Sequence, residues 1–164
     1  MKAVLISIQA EHNANIESGL KKSELRTRAP KLKTPFKVYT YESGINGRHK
    51  ITNEWICKDI TTWRMCVGLP AHLSKVACVS NQYIWDYCNR GRKELDEMHI
   101  TNLVIYDKPK ELSEFSRPCD GNCYKCKDAI WHTPRDFSSD SKIVGCGRKV
   151  TAPQSWCYVE ALNG

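Results

Sequence analysis

Charged side chains stand at fixed spacing in the stretch Gly19-Leu20-Lys21-Lys22-Ser23-Glu24-Leu25-Arg26, which fits the pattern G-x-K-x-x-E-x-R. Lys21 offers a point charge to a phosphate or a developing oxyanion, and Arg26 offers a planar fork to a phosphate, a carboxylate or a base edge. Glu24 holds one of these cations or accepts a proton from an amino group on a base. The pattern favours a ligand site over its alternative, an ion-pair network that braces the fold.

The residues around this motif predict a strand, a helix and two further strands. Residues 4–8 are a β-rich apolar run, and residues 10–18 predict a short helix that Gly19 ends. The alternation in residues 23–28 predicts a half-exposed strand, with Glu24 and Arg26 side by side and Ser23 on the opposite face. Residues 36–41 alternate in the same way and predict another strand.

The rest of the chain predicts short elements separated by turns. Residues 42–50 predict a loop, residues 51–73 a mixture of helix and loop, and residues 75–79 a strand. A helix over residues 85–95, a strand over 99–106 with an exit turn at 108–112, and a last strand over 155–159 follow. Five or more short strands with one early helix indicate an α+β fold, a small and partly closed β-barrel.

A chain of 164 residues allows one compact domain. We therefore expect residues 1–164 to form a single domain with a cysteine-rich loop insertion around residues 117–147. No apolar run approaches the roughly 20 residues that a membrane span needs, and the opening run at residues 3–8 is too short for a secretory signal. The sequence thus predicts a cytoplasmic protein with no membrane partner.

Positive charge is concentrated near the start of the chain. The net charge is +7, and residues 1–50 carry ten basic against four acidic side chains. The basic residues of this segment cluster after the first predicted helix: Lys21, Lys22, Arg26, Arg28, Lys31, Lys33 and Lys37. Such a patch attracts polyanions, of which phosphate backbones are the commonest. A solvated basic face is the alternative.

The chain has nine cysteines, an odd number that argues against a disulfide framework. Four of them have spacing that suits a structural zinc ion: Cys119, Cys123, Cys126 and Cys146. Cys157 or His132 is an alternative fourth ligand. Reduced free thiols explain the same residues equally well, and a redox pair is a third reading.

The motif and its surroundings resemble the ASCH domain, a branch of the PUA-like β-barrel superfamily, in its small bacterial and phage form. The motif follows a strand and a helix, and residues 36–41, 100–115 and 154–159 resemble further parts of such proteins. The resemblance covers both ends of the chain and covers residues 43–74 poorly. Ala10 stands where the family has a proline. The resemblance implies a small PUA-like β-barrel with a few short helices.

The resemblance also implies a function, because PUA-like relatives bind RNA, often in a cleft between the barrel and its helices. We therefore expect a nucleic-acid-binding module, for RNA more than DNA, or a reader of a modified base. The expected contacts lie in the motif and the last strand: Lys21, Lys22, Glu24, Arg26, Arg28, Trp156 and Tyr158. Tyr39, Tyr41 or Trp156 would supply a stacking surface. The alternative is that these aromatic residues belong to the core of the barrel, as such residues more often do.

Two other functions stay open. Some ASCH proteins are amidohydrolases that act on N4-acetylcytidine with a lysine and a threonine of the motif, and another is a ribonuclease. Lys21 matches that lysine, whereas Glu24 stands at the threonine position. This implies an enzyme acting on an acylated nucleoside, with Lys21 and Glu24 as catalytic residues, or a nuclease. The other alternative is a phage-type protein that binds a host partner and uses the barrel as a scaffold.

Overall fold

The computed structural model describes residues 1–64, 68–88, 94–118 and 146–162. Strands dominate this part of the chain, and three short helices lie between them. In chain order the elements are β1 Lys2–Gln9, α1 Ala10–Glu17, β2 Ser23–Arg26, β3 Phe36–Ser43, β4 Ile51–Arg64, α2 Leu73–Ala77, α3 Asn81–Cys88, β5 Glu94–Lys110, a 3-10 turn Leu112–Glu114, β6 Ser116–Arg117, β7 Cys146–Lys149 and β8 Trp156–Glu160.

Six strands form one mixed sheet in the order β2-β5-β4-β3-β1-β8. Strands β1 and β3 are parallel, with Val4 beside Val38, and the other neighbours are antiparallel. Strands β6 and β7 pair separately in a small second sheet. The α+β class predicted from the sequence is confirmed.

The sheet curls into a half-barrel whose two outer strands, β2 and β8, approach each other through side chains. Trp156 Nε1 donates to the backbone carbonyl of Arg28 at 2.7 Å, and the backbone N–H of Lys31 donates to the Tyr158 hydroxyl at 2.9 Å. These bonds attach β8 to the segment that follows β2. The partly closed barrel expected from the sequence is therefore observed, with a seam between its first and last strands.

Both faces of the central strands are buried. Along β1, Leu5 packs into one apolar cluster with Tyr39, whereas Val4 and Ile6 pack into another with Trp55. This alternation follows from the two-residue period of a strand. A third cluster lies under α2 and α3 and contains Leu25, Leu73, Ala77, Ile84, Cys88 and Leu95. The third cluster fixes both helices against β2.

The predicted elements around the motif are confirmed. The strands expected over residues 4–8, 23–28 and 36–41 are β1, β2 and β3, and the helix expected over residues 10–18 is α1. The strands expected over residues 99–106 and 155–159 lie within β5 and β8.

The expectation of helix and loop over residues 51–73 is wrong for its first part, which is the long strand β4. Its early residues are buried whether polar or apolar, so the sequence shows no alternation there. Asn13 of α1 explains how the polar ones are accommodated: it donates to Thr52 Oγ1 at 3.0 Å and accepts from Asn53 Nδ2 at 2.8 Å.

The strand expected over residues 75–79 is also wrong, because residues 73–77 form the helix α2. Leu73 and Ala77, four residues apart, both face the third cluster, and a run this short does not distinguish helix from strand. The helix expected over residues 85–95 is α3, which begins at Asn81, while Leu95 belongs to β5. The exit turn expected at 108–112 comes later, because β5 continues to Lys110.

Most of the expected cysteine-rich insertion, residues 119–145, lies outside the described residues. In the described part of the chain, none of the helices has the length and apolar content needed to cross a membrane.

Candidate functional site

The motif lies at the bottom of a cleft because of how the chain leaves α1. Gly19 turns the chain with a φ of +72°, in the left-handed region that favours glycine. The alternation of β2 then directs Glu24 and Arg26 into the cleft and Ser23 to the opposite side of the strand. The orientations predicted for these three side chains are confirmed.

Lys21, Glu24 and Arg26 form a buried ion cluster. Lys21 Nζ lies 3.2 Å from Glu24 Oε2, and Arg26 Nη2 lies 2.8 Å from Glu24 Oε1. Only 4% of Lys21 and 7% of Glu24 is exposed. Lys21 Nζ also donates to the backbone carbonyl of Ala77 at 2.7 Å, which ties the cluster to the end of α2. The cluster thus braces the fold and also lines the cleft.

The charge state of Glu24 follows from its two cationic neighbours. Burial alone would raise its pKa, but the positive charges of Arg26 and Lys21 and the hydrogen bond from Lys21 outweigh burial, and the pKa is lowered from its usual value. Glu24 is therefore a carboxylate at neutral pH. That state suits a hydrogen-bond acceptor or a general base rather than a proton donor.

Arg26 joins three strands at the seam of the half-barrel. Its Nη2 donates to the backbone carbonyl of Ser7 in β1 at 2.7 Å, and its Nη1 donates to Ser155 Oγ, just before β8, at 3.3 Å. Its Nε is buried and has no acceptor among the described residues. Arg26 therefore links β2, β1 and the residues before β8 around the cleft, and leaves its buried Nε and one Nη1 N–H without an acceptor among the described residues.

The cleft above the cluster has a volume of about 610 Å³. Its walls come from five parts of the chain: the end of β1 with α1, β2 with the residues before it, the end of β3, α3 with the residues before it, and the residues before β8. The lining residues are Ser7, Ile8, Gln9, His12, Lys21, Glu24, Leu25, Arg26, Ser43, Val79, Tyr83, Ile84, Asp86, Tyr87, Gln154 and Ser155. A cleft of this size and polarity accommodates a nucleoside or one nucleotide of a chain.

Aromatic rings form one wall of the cleft. Tyr83 of α3 is 47% exposed, and its ring lies nearly parallel to that of Tyr87, with centroids 6.2 Å apart. The His12 ring meets Tyr83 edge-on at 5.8 Å. Burial and, to a smaller extent, the charge of Lys21 lower the pKa of His12, so its imidazole is neutral at pH 7. These rings offer flat, uncharged surface beside a charged floor, and Asp86 adds a carboxylate to the same wall.

Sequence reasoning missed His12, Tyr83 and Tyr87. These residues carry no motif, and α3 was expected to begin after Tyr83, so nothing indicated that it faces residues of α1. One signal was available, since Tyr83 and Tyr87 are four residues apart and share a helix face.

The other predicted contacts lie away from the floor. Lys22 lines a separate pocket on the far side of β2. Arg28 is exposed two residues beyond Arg26. Trp156 and Tyr158 lie at the seam, where they bond to backbone and pack edge-on with centroids 5.2 Å apart. The structure therefore brings together Lys21, Glu24 and Arg26, and leaves the other four outside the cleft.

Tyr39 and Tyr41, expected as stacking surfaces, are core residues. Tyr39 is fully buried and Tyr41 nearly so, in the cluster on one face of the sheet. Their strand is covered on both faces, so neither ring can meet a ligand. The stacking role expected of Tyr39 and Tyr41 is therefore wrong. The tyrosines that line the cleft are Tyr83 and Tyr87 of α3.

The zinc prediction stays a prediction. Cys119, Cys123, Cys126 and His132 lie outside the described residues, and Cys146 begins β7. Cys157, the alternative fourth ligand, is buried in the core, and burial raises the pKa of its thiol. Over the described residues, no three His, Cys, Asp or Glu side chains are grouped as metal ligands.

No family model and no curated protein matches the chain. Solved structures do match. An ASCH protein from Zymomonas mobilis superposes with a TM-score of 0.58 at 20% identity, over 67% of this chain and 73% of that chain. Two variants of the same protein, one with tyrosine replaced by phenylalanine and one with serine replaced by alanine, match with a TM-score of 0.57 at 19% identity. These cover 68% and 67% of this chain, and 77% and 74% of the variants.

The likeness is one of fold, and it agrees with the curled mixed sheet and short helices described above. The protein therefore has the fold of the ASCH domain proteins, in the PUA-like α+β class.

Proposed function

We propose that the protein binds single-stranded nucleic acid, RNA rather than DNA, and seats one nucleotide in the cleft. The observation that carries this proposal is the placement of an exposed ring, Tyr83, on the wall of a cleft whose floor is the buried Lys21–Glu24–Arg26 cluster. Base stacking on aromatic rings and cationic contacts to phosphate are the two usual sources of affinity for single strands. The fold favours RNA by analogy.

The floor has donors left for a ligand. A lysine ammonium has three donors, and Lys21 uses two of them on Glu24 and the Ala77 carbonyl. Arg26 Nη1 carries two N–H groups, and Ser155 Oγ accepts from one of them. Two cations against one carboxylate leave the floor with a positive charge. This arrangement fits a phosphate or a base edge that needs both donors and the Glu24 acceptor.

A basic strip continues from the floor. Arg28, Lys31 and Lys33 are exposed on the connection from β2 to β3. The first of them, Arg28, lies two residues after Arg26. Trp156 and Tyr158 hold this connection by its backbone. We assign the strip to phosphates that flank the seated nucleotide, and Trp156 and Tyr158 to positioning it.

The stacking role is tested by comparing two exposed aromatics of α3. Tyr83 lines the cleft and is 47% exposed, whereas Trp85 is 41% exposed and does not line it. Replacement Tyr83→Ala is expected to weaken binding of a labelled single-stranded RNA about tenfold, since stacking one base contributes about 1–3 kcal/mol. Trp85→Ala is expected to change the dissociation constant less than twofold or so. Fluorescence polarisation measures both.

Salt gives the same assay a second readout. Wild-type binding is expected to weaken strongly between about 50 and 200 mM salt, because phosphate contacts release counterions. Tyr83→Ala removes no charge and should leave the slope unchanged. Wild-type protein that fails to bind at low salt would contradict the proposal and favour a host-partner function. Equal losses of RNA affinity in Tyr83→Ala and Trp85→Ala would show that the RNA does not bind in the cleft.

A second candidate is hydrolysis of an acylated nucleoside such as N4-acetylcytidine. The ionised carboxylate of Glu24, 3.2 Å from the Lys21 ammonium, favours it. Glu24 would take a proton from the attacking water, and Lys21 would stabilise the oxyanion that forms on the acyl group. Glu24 would then return that proton to the departing N4 nitrogen as the C–N bond breaks, which releases acetate and the free nucleoside. Ser23 faces away from the cleft and cannot serve as nucleophile there. Release of acetate from N4-acetylcytidine distinguishes this enzyme from a binding module.

A further inference from the structure

The carboxylate on the floor of the cleft lies between two cations. Glu24 Oε2 lies 3.2 Å from Lys21 Nζ, and Glu24 Oε1 lies 2.8 Å from Arg26 Nη2, so each cation holds a different oxygen. All three side chains line the cleft. The floor therefore offers a ligand a hydrogen-bond donor, an acceptor and a second donor, in that order.

Each of the three groups keeps hydrogen-bonding capacity for a ligand. A lysine ammonium has three donors, and Lys21 uses one on Glu24 and one on the Ala77 carbonyl. Arg26 Nη1 carries two N–H groups, and Ser155 Oγ accepts from one of them. Each Glu24 oxygen has two lone pairs and accepts from one cation in the described part of the chain. Because Glu24 is ionised, it accepts hydrogen bonds and does not donate them.

A base edge matches this floor better than a phosphate does. The oxygens of a phosphate are acceptors with negative charge, so a phosphate that reached Lys21 and Arg26 would also face the Glu24 carboxylate. Like charges repel strongly in a buried site, where little water screens them. A neutral base with both donors and acceptors avoids this repulsion. The phosphates then belong on the exposed basic strip that begins at Arg28.

The four RNA bases differ in the groups along the edge that they use for base pairing. Uracil presents an acceptor, a donor and an acceptor, namely O4, the N3–H group and O2. Cytosine presents one amino donor and two acceptors, guanine presents one acceptor and two donors, and adenine presents an amino donor beside one acceptor. Uracil is therefore the base whose edge complements a floor of donor, acceptor and donor.

We propose that the cleft selects uridine, with the N3–H group donating to Glu24 and the two carbonyl oxygens accepting from Lys21 and Arg26. The uridine site is the nucleotide site proposed above, so it rests on that function, and the choice of base is what is added. The exposed ring of Tyr83 on the wall stacks against the base, whose pairing edge then faces the floor.

The other bases satisfy at most two of the three positions on the floor. Cytosine and adenine can give their amino group to Glu24 and one ring nitrogen to a cation, which leaves the other cation without a partner. Guanine matches one cation and Glu24, but it places its amino group against the second cation. Since Lys21 and Glu24 are buried, a mismatched group there loses water without gaining a hydrogen bond. Such a loss gives a site its selectivity.

The test measures base selectivity with labelled strands that carry one base between abasic ribose spacers, by fluorescence polarisation at low salt. We expect the uracil strand to bind at least about tenfold more tightly than the cytosine, adenine or guanine strand. Two methylated bases form a matched pair. 3-Methyluracil lacks the N3–H donor and should bind at least about tenfold more weakly than uracil. 5-Methyluracil carries its methyl group away from the pairing edge and should bind within about threefold of uracil.

Tyr83→Ala separates stacking from recognition of the edge. The ring stacks on any base, so its loss should weaken binding of the uracil and cytosine strands by the same factor and preserve their ratio. A preference that disappears in Tyr83→Ala would assign the selection to the ring and contradict the proposal. Equal affinity for the four bases, or for uracil and 3-methyluracil, would overturn the uridine site and leave the nucleotide site standing. A strand of spacers alone that binds as tightly as the uracil strand would overturn both.

Discussion

Replacing Glu24 with glutamine is expected to lower the free energy of unfolding by about 3–5 kcal/mol. The carboxylate is the shared partner of two buried cations, Lys21 at 3.2 Å and Arg26 at 2.8 Å. Glutamine keeps the shape of the side chain and removes its charge, so both cations would stay buried without an opposite charge. Urea unfolding at neutral pH measures the loss. The exposed pair of Glu111 with Lys50 gives the matched control, and Glu111→Gln is expected to cost less than about 1 kcal/mol.

At acid pH, the free energies of unfolding of wild type and Glu24→Gln should become more similar. The pKa of Glu24 in the folded protein is lowered from its usual value of 4.5, so its contribution to stability is present above that pH. As the pH falls through the folded pKa, the carboxylate takes up a proton and the contribution is lost. Wild type should therefore lose stability below about pH 4.5 more steeply than the variant. A difference that stays constant down to strong acid would show that Glu24 is not the ionised centre of the cluster.

Replacing Arg26 with glutamine is expected to weaken binding of single-stranded RNA about a hundredfold, equivalent to about 2.7 kcal/mol. Arg26 supplies its guanidinium charge and a second Nη1 N–H on the floor, and it holds Ser7 and Ser155 at the seam. The substitution removes the planar fork and leaves Lys21 and Glu24 as a neutral pair. Fluorescence polarisation of the labelled RNA at low salt measures the change.

Two further variants make this result interpretable. Arg64 forms an exposed ion pair with Glu94 and does not line the cleft, so Arg64→Gln should bind RNA within about twofold of wild type. Arg26→Lys keeps the charge without the fork and is expected to lose about tenfold in affinity. Because Arg26→Gln can also loosen the seam, its thermal unfolding is measured alongside. A folded Arg26→Gln protein that binds RNA as tightly as Arg64→Gln does would contradict the proposal that the floor of the cleft binds the RNA.

The floor of the site was predictable from the sequence because its residues are neighbours in the chain. Residues 19–26 carry the turn, the alternation of β2 and the charges, and each of these depends on local geometry alone. The walls were not predictable in this way. His12 and Tyr83 are 71 residues apart and meet through the packing of α3 over Leu25, which no local pattern encodes.

The predictions from the sequence also fail where polar residues are buried. Strand β4 buries Thr52 and Asn53 next to Ile51, because Asn13 provides their hydrogen bonds, so the alternation that marks a strand is missing. Tyr39 of β3 is misplaced for a different reason. Its strand is covered on both faces, and an alternating pattern predicts one exposed face.

The most direct test of the central claim is to find where RNA touches the protein. A single-stranded RNA that carries 4-thiouridine is bound at low salt, cross-linked with light, and the modified peptides are identified by mass spectrometry. The cleft predicts cross-links in α3, Asn81–Cys88, at Tyr83 above all, and in the segment that contains His12. Cross-links confined to the outer half of β5, residues 101–110, would contradict it and place the nucleic acid on another face of the half-barrel.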